Sequence, residues 1–510
     1  MRKSVWPMKI KLFQNRSVKF SHVLIKYTSL DTNIGISGEL TEKNAKFNIT
    51  GGRTMEHHEK RSTFSGKLGF VLSAAGASVG LGNIWRFPYL AAKYGGGIFL
   101  LIYIILALTF GYTMIVAETV LGRMTRKSPV GAYHSFGKSG WLSFGGWINA
   151  IIPVLIVPYY SVIGGWVIKY LVEYVMGHGQ ALASDGYFGA FISNGVSTEA
   201  CFAVFTLFTV AIIYAGVQNG VERVSKFMMP ILVVLSIVIS VYSITRPGAL
   251  EGVKYFLIPN PANFSWMTVV AAMGQMFYSL SIAMGILVTF GSYMKKDVPI
   301  EASTKNVEIF DTAIAIMAGL MIIPAVFAFS GGDPDTLQAG PSLMFITIPK
   351  VFASMGMGTF VGILFFLLVL CAAVTSSIAL TESAVSTFQD ELGWSRKKAT
   401  VIVAVIMLLL GSLSSLGYGP LDFVKIMGMQ FLDFFDFLTN SVMMPIAAIA
   451  TCLLVSKVMG IQKVEKEMLL ENGTFRRKKI FDFMIQYLCP IFAAIILFSS
   501  VANALGWISM

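Results

Sequence analysis

Long apolar stretches recur along this chain and constrain its fold more than any other feature. From residue 66 onward there are eleven, near residues 66–93, 96–121, 145–174, 200–217, 221–245, 267–294, 304–330, 357–388, 398–416, 431–457 and 482–506. A helix that crosses a bilayer needs about 17–25 consecutive apolar residues, so each stretch is long enough to span, and the longer ones imply tilt. The sequence therefore predicts an all-α polytopic membrane protein with eleven transmembrane helices.

Composition agrees with this class. The chain has 510 residues, of which 55% are hydrophobic and 13% are charged, whereas soluble domains have about 25% charged residues. Cys201, Cys371, Cys452 and Cys489 lie separately in apolar runs, so neither a disulfide framework nor a zinc site is indicated. The five histidines form no nucleophile–base or metal constellation, which disfavours an enzyme.

The first 60 residues differ from the rest. They contain 11 Lys and Arg against 5 Asp and Glu, and no apolar run long enough for a span or a signal peptide. We interpret residues 1–60 as a polar, basic tail close to anionic lipid. A second hypothesis is that translation starts at Met55, because residues 51–55 are what a purine-rich ribosome-binding site would encode. The membrane domain is then 61–510.

Basic residues in the short loops predict the orientation. Lys295 and Lys296 follow span six, Arg396 to Lys398 follow span eight, and the other basic clusters also follow even-numbered spans or begin odd ones. Cytoplasmic loops are enriched in Lys and Arg, so we expect the N-terminus in the cytoplasm and the C-terminus outside. The predicted extracellular loops are 175–199, 246–266, 331–356 and 417–430.

The first span contains residues that a simple membrane helix avoids. Gly80, Gly82, Asn83 and Arg86 lie within a few residues of one another. Glycine costs about 1 kcal/mol in a helix interior, and a charged side chain at bilayer depth costs several. We interpret this as a helix broken in mid-membrane, with free backbone groups lining a polar cavity. The alternative is close helix packing through Gly76 and Gly80.

Span six repeats this pattern. Gln275, Ser279 and Ser281 lie at mid-membrane and small residues follow. Two units of five helices, in 66–245 and 267–457, would each open with an interrupted helix, and residues 482–506 would form an extra helix. That arrangement indicates a five-plus-five inverted-repeat transporter with its site at the repeat interface. The alternative for the serines is a hydrogen bond back to the preceding turn.

Further polar groups lie at the same depth. Tyr160 is in span three, Asp311 in span seven, and Thr375, Ser376 and Ser377 in span eight. An interfacial aromatic belt is the alternative for the tyrosine, and a snorkelling acid at a helix end is the alternative for Asp311. Oxygen ligands with so few charges favour a hard monovalent cation.

These residues together form a recognisable pattern. The motif from Gly80 to Tyr89, Gly220 to Arg223, Gln275 to Ser281, Thr375 to Ser377 and Leu432 to Phe437 resemble the neurotransmitter:sodium symporter family, in its bacterial eleven-helix branch. The resemblance covers about residues 61–506. It implies sodium-driven import of an amino acid by alternating access, in a bacterial plasma membrane, by a monomer or weak homo-oligomer without nucleic-acid partners.

The resemblance implies one or two Na⁺ ions. One would be held by the carbonyls of Gly76, Val79 and Ala372 and the hydroxyls of Thr375 and Ser376. The other would take the Ser78 carbonyl, Asn83, Ser279, Asp311 and the substrate carboxylate. That shared ligand would couple ion and substrate.

The resemblance also implies where an amino acid binds. Its carboxylate would lie on the amides of Leu81 and Gly82 and the Tyr160 hydroxyl, as anions do at helix termini. Its ammonium group would bind carbonyls around Ser78, Tyr278 and Ser281. The side-chain pocket would consist of Ile156, Tyr160, Tyr278, Ala283, Met284, Ser376 and Leu380, which suits an apolar or aromatic side chain.

Two pairs of charges are expected to be gates. Arg86 and Asp436 would face each other above the site, with Tyr278 as an aromatic lid. Arg61 and Asp390 would meet beneath it. The alternative for each charge is a solvated loop residue.

Two positions, Gly80 and Asp311, distinguish this chain from some members of the family and narrow the expected substrate and ion dependence. Members that take amines without a carboxylate carry an acid at the position of Gly80, so its absence favours an amino acid. Chloride-dependent members have a neutral amide where Asp311 stands, so we expect chloride independence.

A channel is disfavoured because two broken helices suggest a closed central site. A sodium-dependent amino-acid sensor that transports nothing remains an alternative.

Overall fold

The computed structural model describes residues 61–331 and 340–507. Within these residues the protein is helical, and β structure is limited to a bridge between Ile426 and Met429. The predicted tail and the start at Met55 lie outside the described residues, as does part of the 331–356 loop.

Thirteen helical segments form the membrane domain. They are α1 (Lys67–Ser78), α2 (Gly82–Lys93), α3 (Gly97–Thr125), α4 (Gly140–Val175), α5 (Gly195–Tyr214), α6 (Val217–Ile244), α7 (Trp266–Ser279), α8 (Ile286–Tyr293), α9 (Ile300–Ser330), α10 (Gly358–Leu392), α11 (Arg396–Leu416), α12 (Phe431–Met459) and α13 (Lys478–Ala504).

These segments account for the eleven predicted spans. Nine are single helices that are long and apolar enough to cross a membrane, among the residues described. The first span is α1 and α2, which are bent by 54°. The sixth is α7 and α8, which are separated by residues 280–285. The prediction of a polytopic all-α fold with broken first and sixth helices is confirmed.

Burial separates central from peripheral helices. Of the most apolar 18-residue stretch of each helix, 78% is buried within the protein in α4 and α10, compared with 33% in α13 and 39% in α5, α6 and α11. The two central helices also contact each other along their length. Because the peripheral helices are equally apolar, their uncovered faces suit contact with lipid.

The loops contain short helices that the sequence analysis did not predict. The short α-helices are Pro129–His134, Gly179–Leu182, Tyr187–Ser193, Ala249–Leu257, Leu343–Ala353 and Ile461–Met468. A helix needs about 17–25 apolar residues to cross a bilayer, and none of these short helices reaches that length.

Two glycines allow α3 and α8 to approach closely. A Cβ atom at Gly122 would lie 1.9 Å from the Val288 carbonyl oxygen, and one at Gly291 would lie 2.5 Å from the Thr119 carbonyl oxygen. Both obstacles are backbone atoms, which cannot rotate away. Small residues at helix contacts are the usual means of close packing in membranes.

We expect Gly122→Ala to destabilise the protein, because overpacking of this kind costs about 1–3 kcal/mol. The apparent Tm of the detergent-solubilised protein should fall by several degrees. Gly274→Ala is the matched control, since a Cβ there meets no atom within 4 Å. Equal Tm values for the two variants would contradict the packing described here.

Candidate functional site

The first break lies between α1 and α2. Val79 leaves the helix with an extended ψ of 93°. A Cβ atom at Gly80 would lie 2.8 Å from the Ser376 hydroxyl, and one at Gly82 would lie 2.4 Å from the Tyr278 ring. The glycines are therefore required by close approach of neighbouring side chains, and the Gly76–Gly80 packing motif alone does not account for this region.

The second break is held by side chains from other helices. Ser281 and Ala283 have φ of 52° and 59°, a left-handed conformation that costs about 1–2 kcal/mol per residue. The Ser281 hydroxyl donates to the Ala77 carbonyl at 3.0 Å, so it bonds across to the first break and not to its own preceding turn. The Ala283 N–H donates to Glu118 at 2.7 Å.

Glu118 was missed by the sequence analysis. It lies within α3 and is fully buried. An acidic residue inside a predicted span is a signal by itself, and the same rule that singled out Asp311 finds it.

A cavity of about 30 Å³ lies where the two breaks meet. Its lining includes ten of the eleven residues predicted to bind substrate: Ser78, Leu81, Gly82, Ile156, Tyr160, Tyr278, Ser281, Met284, Ser376 and Leu380. Ala283 is the one predicted substrate residue that does not line the cavity. Ala77 and Ile286 line the cavity as well and were not predicted.

The lining carries no charged side chain. The Tyr160 hydroxyl accepts a hydrogen bond from the Leu81 N–H at 3.3 Å, and the tyrosine is only 4% exposed. Tyr160 is therefore an interior residue and not part of an interfacial belt. The cavity is small, so a larger ligand requires the lining side chains to move outward.

One oxygen cluster joins α1 to α10. The Ser376 hydroxyl lies 3.2 Å from the Gly76 carbonyl oxygen and 3.3 Å from that of Val79. Thr375 bonds back to Ala372 at 3.1 Å. The structure thus brings the five predicted ligands of the first ion to the contact of α1 with α10.

A second cluster surrounds Asp311. Its carboxylate accepts from the Asn83 amide at 2.8 Å and from the Ser279 hydroxyl at 3.0 Å. Tyr103 donates to the same carboxylate at 3.3 Å. Asp311 is fully buried, so it is not a snorkelling acid at a helix end.

Tyr103 is another residue that the sequence analysis missed. Ser78 lies beside this cluster, with its hydroxyl 3.4 Å from the Leu280 carbonyl oxygen. Oxygen atoms dominate the surroundings of Asp311, and hard cations prefer such ligands.

Arg61 and Asp390 form an ion pair with an N–O distance of 2.5 Å. Arg61 also donates to Ser292 and Ser386 and lies over the Tyr293 ring at 4.9 Å. The two charged side chains are about one-fifth exposed, at 17% and 22%. They are therefore not simply solvated loop residues.

The other predicted pair is not in contact. Within the part of the chain that the structure describes, Arg86 makes no ion pair with Asp436. The Arg86 guanidinium lies 5.3 Å from the centre of the Tyr278 ring. Asp436 accepts from Tyr159 at 3.1 Å and from Asn440 at 2.5 Å. The two charges occupy the same region but have other partners.

Known proteins are similar to this chain in sequence. The model of the sodium:neurotransmitter symporter family, a family of transporters, matches residues 61–180 and 190–506. The sodium-dependent transporter YhdH of Bacillus subtilis is 35% identical over 458 residues, which cover 88% of this chain and 99% of that protein. A sodium-dependent transporter of Haemophilus influenzae is 30% identical over 459 residues, covering 87% of this chain and 99% of its own.

A solved structure is also similar. The crystal structure of MhsT in complex with L-phenylalanine matches with a TM-score of 0.77 and 35% sequence identity. The match covers 86% of this chain and 100% of that one.

We expect Arg61→Ala to loosen the side of the protein where Arg61 meets Asp390, because this residue, at the start of the described chain, bonds to both α8 and α10. Amide hydrogen exchange of residues 61–66 and 286–293 should become about tenfold faster, which corresponds to about 1.4 kcal/mol. Lys350→Ala is the control, since its 2.5 Å pair with Asp185 is largely exposed. Unchanged exchange in Arg61→Ala would mean that the pair stabilises nothing.

Proposed function

Because the chain belongs to the sodium:neurotransmitter symporter family, we propose that it is a symporter that uses Na⁺ to import an amino acid by alternating access. The observation that carries this proposal is the meeting of two helix breaks at one cavity. Peptide groups freed at bilayer depth are tolerated where they line a cavity, and they are the groups that bind ions and zwitterions in inverted-repeat transporters.

The substrate we propose is an amino acid with an apolar or aromatic side chain. The cavity lining offers no charged side chain, so a ligand that brings both charges, as a zwitterion does, suits it. The carboxylate is placed at the amides of Leu81 and Gly82, at the N-terminus of α2, where a helix favours an anion. Tyr160, which now accepts from Leu81, is within reach to donate to the same carboxylate.

The residues that line the cavity also suggest where the ammonium group and the side chain of the amino acid bind. The ammonium group is assigned to the carbonyls around Ser78, Tyr278 and Ser281. Ile156, Met284 and Leu380 supply apolar surface for the side chain. MhsT, which was crystallised in complex with L-phenylalanine, supports a ligand with an aromatic side chain.

Two sodium sites are proposed at the two oxygen clusters. The first uses the carbonyls of Gly76, Val79 and Ala372 with the hydroxyls of Thr375 and Ser376. The second uses Asn83, Ser279, Asp311, the Ser78 carbonyl and the substrate carboxylate. A ligand shared by ion and substrate makes each favour binding of the other, and this coupling is reciprocal.

The second site requires a rearrangement of the Asn83 amide. Its oxygen now accepts from the Gly80 N–H at 3.2 Å, while its nitrogen donates to Asp311. Rotation of the amide would turn the oxygen toward the cation. Na⁺ would then replace the amide hydrogens as the positive partner of the buried carboxylate.

The two charged pairs support an outward-facing state. The Arg61–Asp390 pair is made, and we place it on the cytoplasmic side because the loops there are rich in Lys and Arg. The Arg86–Asp436 pair is open, and we place it on the outer side. We therefore propose that a substrate enters from outside and that closure over it brings Arg86 toward Asp436.

The membrane supplies sufficient driving force. One Na⁺ that moves down a membrane potential releases about 2.3 kcal/mol per 100 mV, before its concentration gradient is added. Since about 1.4 kcal/mol is a tenfold concentration ratio, one or two ions can concentrate a zwitterion by orders of magnitude.

We expect purified protein in proteoliposomes to accumulate a labelled amino acid when an inward Na⁺ gradient is imposed. Replacing Na⁺ with K⁺ should abolish accumulation. Competition by each of the twenty amino acids should be strongest for apolar and aromatic side chains. Sodium-dependent binding without accumulation inside the vesicles would contradict transport and favour a sensor.

We also expect uptake to be independent of chloride, because Asp311 supplies a negative charge beside the proposed second ion. Replacing chloride with gluconate should leave the wild-type uptake rate unchanged. Asp311→Asn should lower the rate at least several-fold or make it depend on an anion, whereas Glu251→Gln, at an exposed acid, should do neither. A collapse of the wild-type rate in gluconate would overturn chloride independence.

A further inference from the structure

The segment between α12 and α13, residues 460–477, is attached to other helices by buried charges. We call this segment the strap. It begins with the helix Ile461–Met468, whose Val464 and Met468 are fully buried. A loop that only connected two neighbouring helices would lie over the surface, with few buried contacts.

The first attachment is to α3. Arg123 is only 1% exposed and pairs with Glu467 of the strap at 2.8 Å. A second guanidinium nitrogen donates to the Glu467 carbonyl, and a third donates to the Val298 carbonyl at 2.7 Å. One arginine thus joins α3, the strap and the turn that precedes α9.

The second attachment is to α9. Glu301 accepts from the N–H groups of Arg476 and Arg477 at 2.8 and 3.2 Å. The Arg477 side chain then reaches Glu308, with both N–O distances at 3.1 Å, and lies over the Tyr112 ring at 4.7 Å. Glu301 and Glu308 are 7% and 2% exposed, so water screens these interactions weakly.

The two anchored helices carry residues of the candidate site. Glu308 is three residues before Asp311, which places them about one helical turn apart on the same side of α9. Arg123 is five residues after Glu118, which holds the second break. A displacement of either helix end is therefore transmitted along a rigid helix over a short distance.

We propose that the strap is a coupling element, which makes α12 and α13 move together with α3 and α9 when the transporter changes state. This inference rests on the proposed function, because it assigns a role in the transport cycle. Arg123, Glu301, Glu308, Arg477 and Glu467 are positioning residues, since none of them lines the cavity. Their contribution is to keep the ends of α3 and α9 in register with the last two helices.

The test compares two ion pairs of the same chain segment. Arg477→Ala removes an attachment to α9. Glu465→Ala removes the Glu465–Lys478 pair, which has a similar N–O distance of 2.7 Å but is exposed by about a third and joins the strap only to the start of α13. Glu308→Arg combined with Arg477→Glu restores opposite charges in exchanged positions and controls for misfolding.

Hydrogen exchange of the full-length protein in detergent micelles, in Na⁺ and in K⁺, gives the readout. In the wild type, residues 460–477 and the first two turns of α9 should respond to the cation together. In Arg477→Ala the strap should exchange about tenfold faster in both cations and lose its response, while α9 keeps its own. The double variant, Glu308→Arg with Arg477→Glu, should restore part of the response to the cation. Glu465→Ala should behave as the wild type does.

Uptake by the same variants separates this inference from the proposed function. Arg477→Ala should lower the maximal uptake rate at least fivefold and change the apparent KM less than twofold, because the cavity is intact. If the wild type accumulates amino acid but its strap does not respond to Na⁺, or if Arg477→Ala matches Glu465→Ala in both measurements, the strap has no coupling role. If the wild type accumulates nothing, the proposed function fails instead, and the exchange data still test the attachment.

Discussion

The structure depends on how peptide groups are satisfied at two places where helices break inside the membrane. A hydrocarbon environment offers no water to replace a lost helical hydrogen bond. The Ala77 carbonyl receives Ser281, the carbonyls of Gly76 and Val79 lie against Ser376, and the Ala283 N–H reaches Glu118. The breaks thus satisfy each other and the flanking helices α3 and α10, and this mutual requirement creates a single site.

The buried acids of this protein act as joints between helices. Asp311 accepts from residues of α2, α3 and α7 at once, and Glu301 accepts from the backbone between α12 and α13. A buried charge that lost its partners would be strongly destabilising. Each acid therefore ties the relative position of several helices to one set of hydrogen bonds, which is how a local event such as ion binding can be felt by a whole helix.

The two sides of the molecule differ in how firmly they are held. Arg61 and Asp390, the attachments of the strap, and the buried pair of Arg396 with Glu382 cross-link one side. Arg86 instead lies over the Tyr278 ring, and Asp436 accepts hydrogen bonds from Tyr159 and Asn440. An asymmetry of this kind is the basis of the outward-facing state proposed above.

The sequence by itself determined the class of protein, the eleven spans and the two interrupted helices. Length and polarity are local properties, and a glycine pair with an amide and a cation inside an apolar run has few other interpretations. The family resemblance then assigned roles to residues, and the structure brings ten of the eleven residues assigned to substrate binding to one cavity. The roles themselves stay predictions.

Only the tertiary structure decided which groups from distant segments meet. Tyr103 and Ile286 reach the site from positions that looked ordinary in the sequence, whereas Glu118, an acid inside a predicted span, supports the second break. Ala283 is absent from the cavity lining, and Arg86 is not paired with Asp436 in the part of the chain that the structure describes. The reason is physical: the direction of a side chain at a break depends on left-handed backbone angles, and the pairing of charges depends on helix positions. Neither is encoded in the periodicity of the chain.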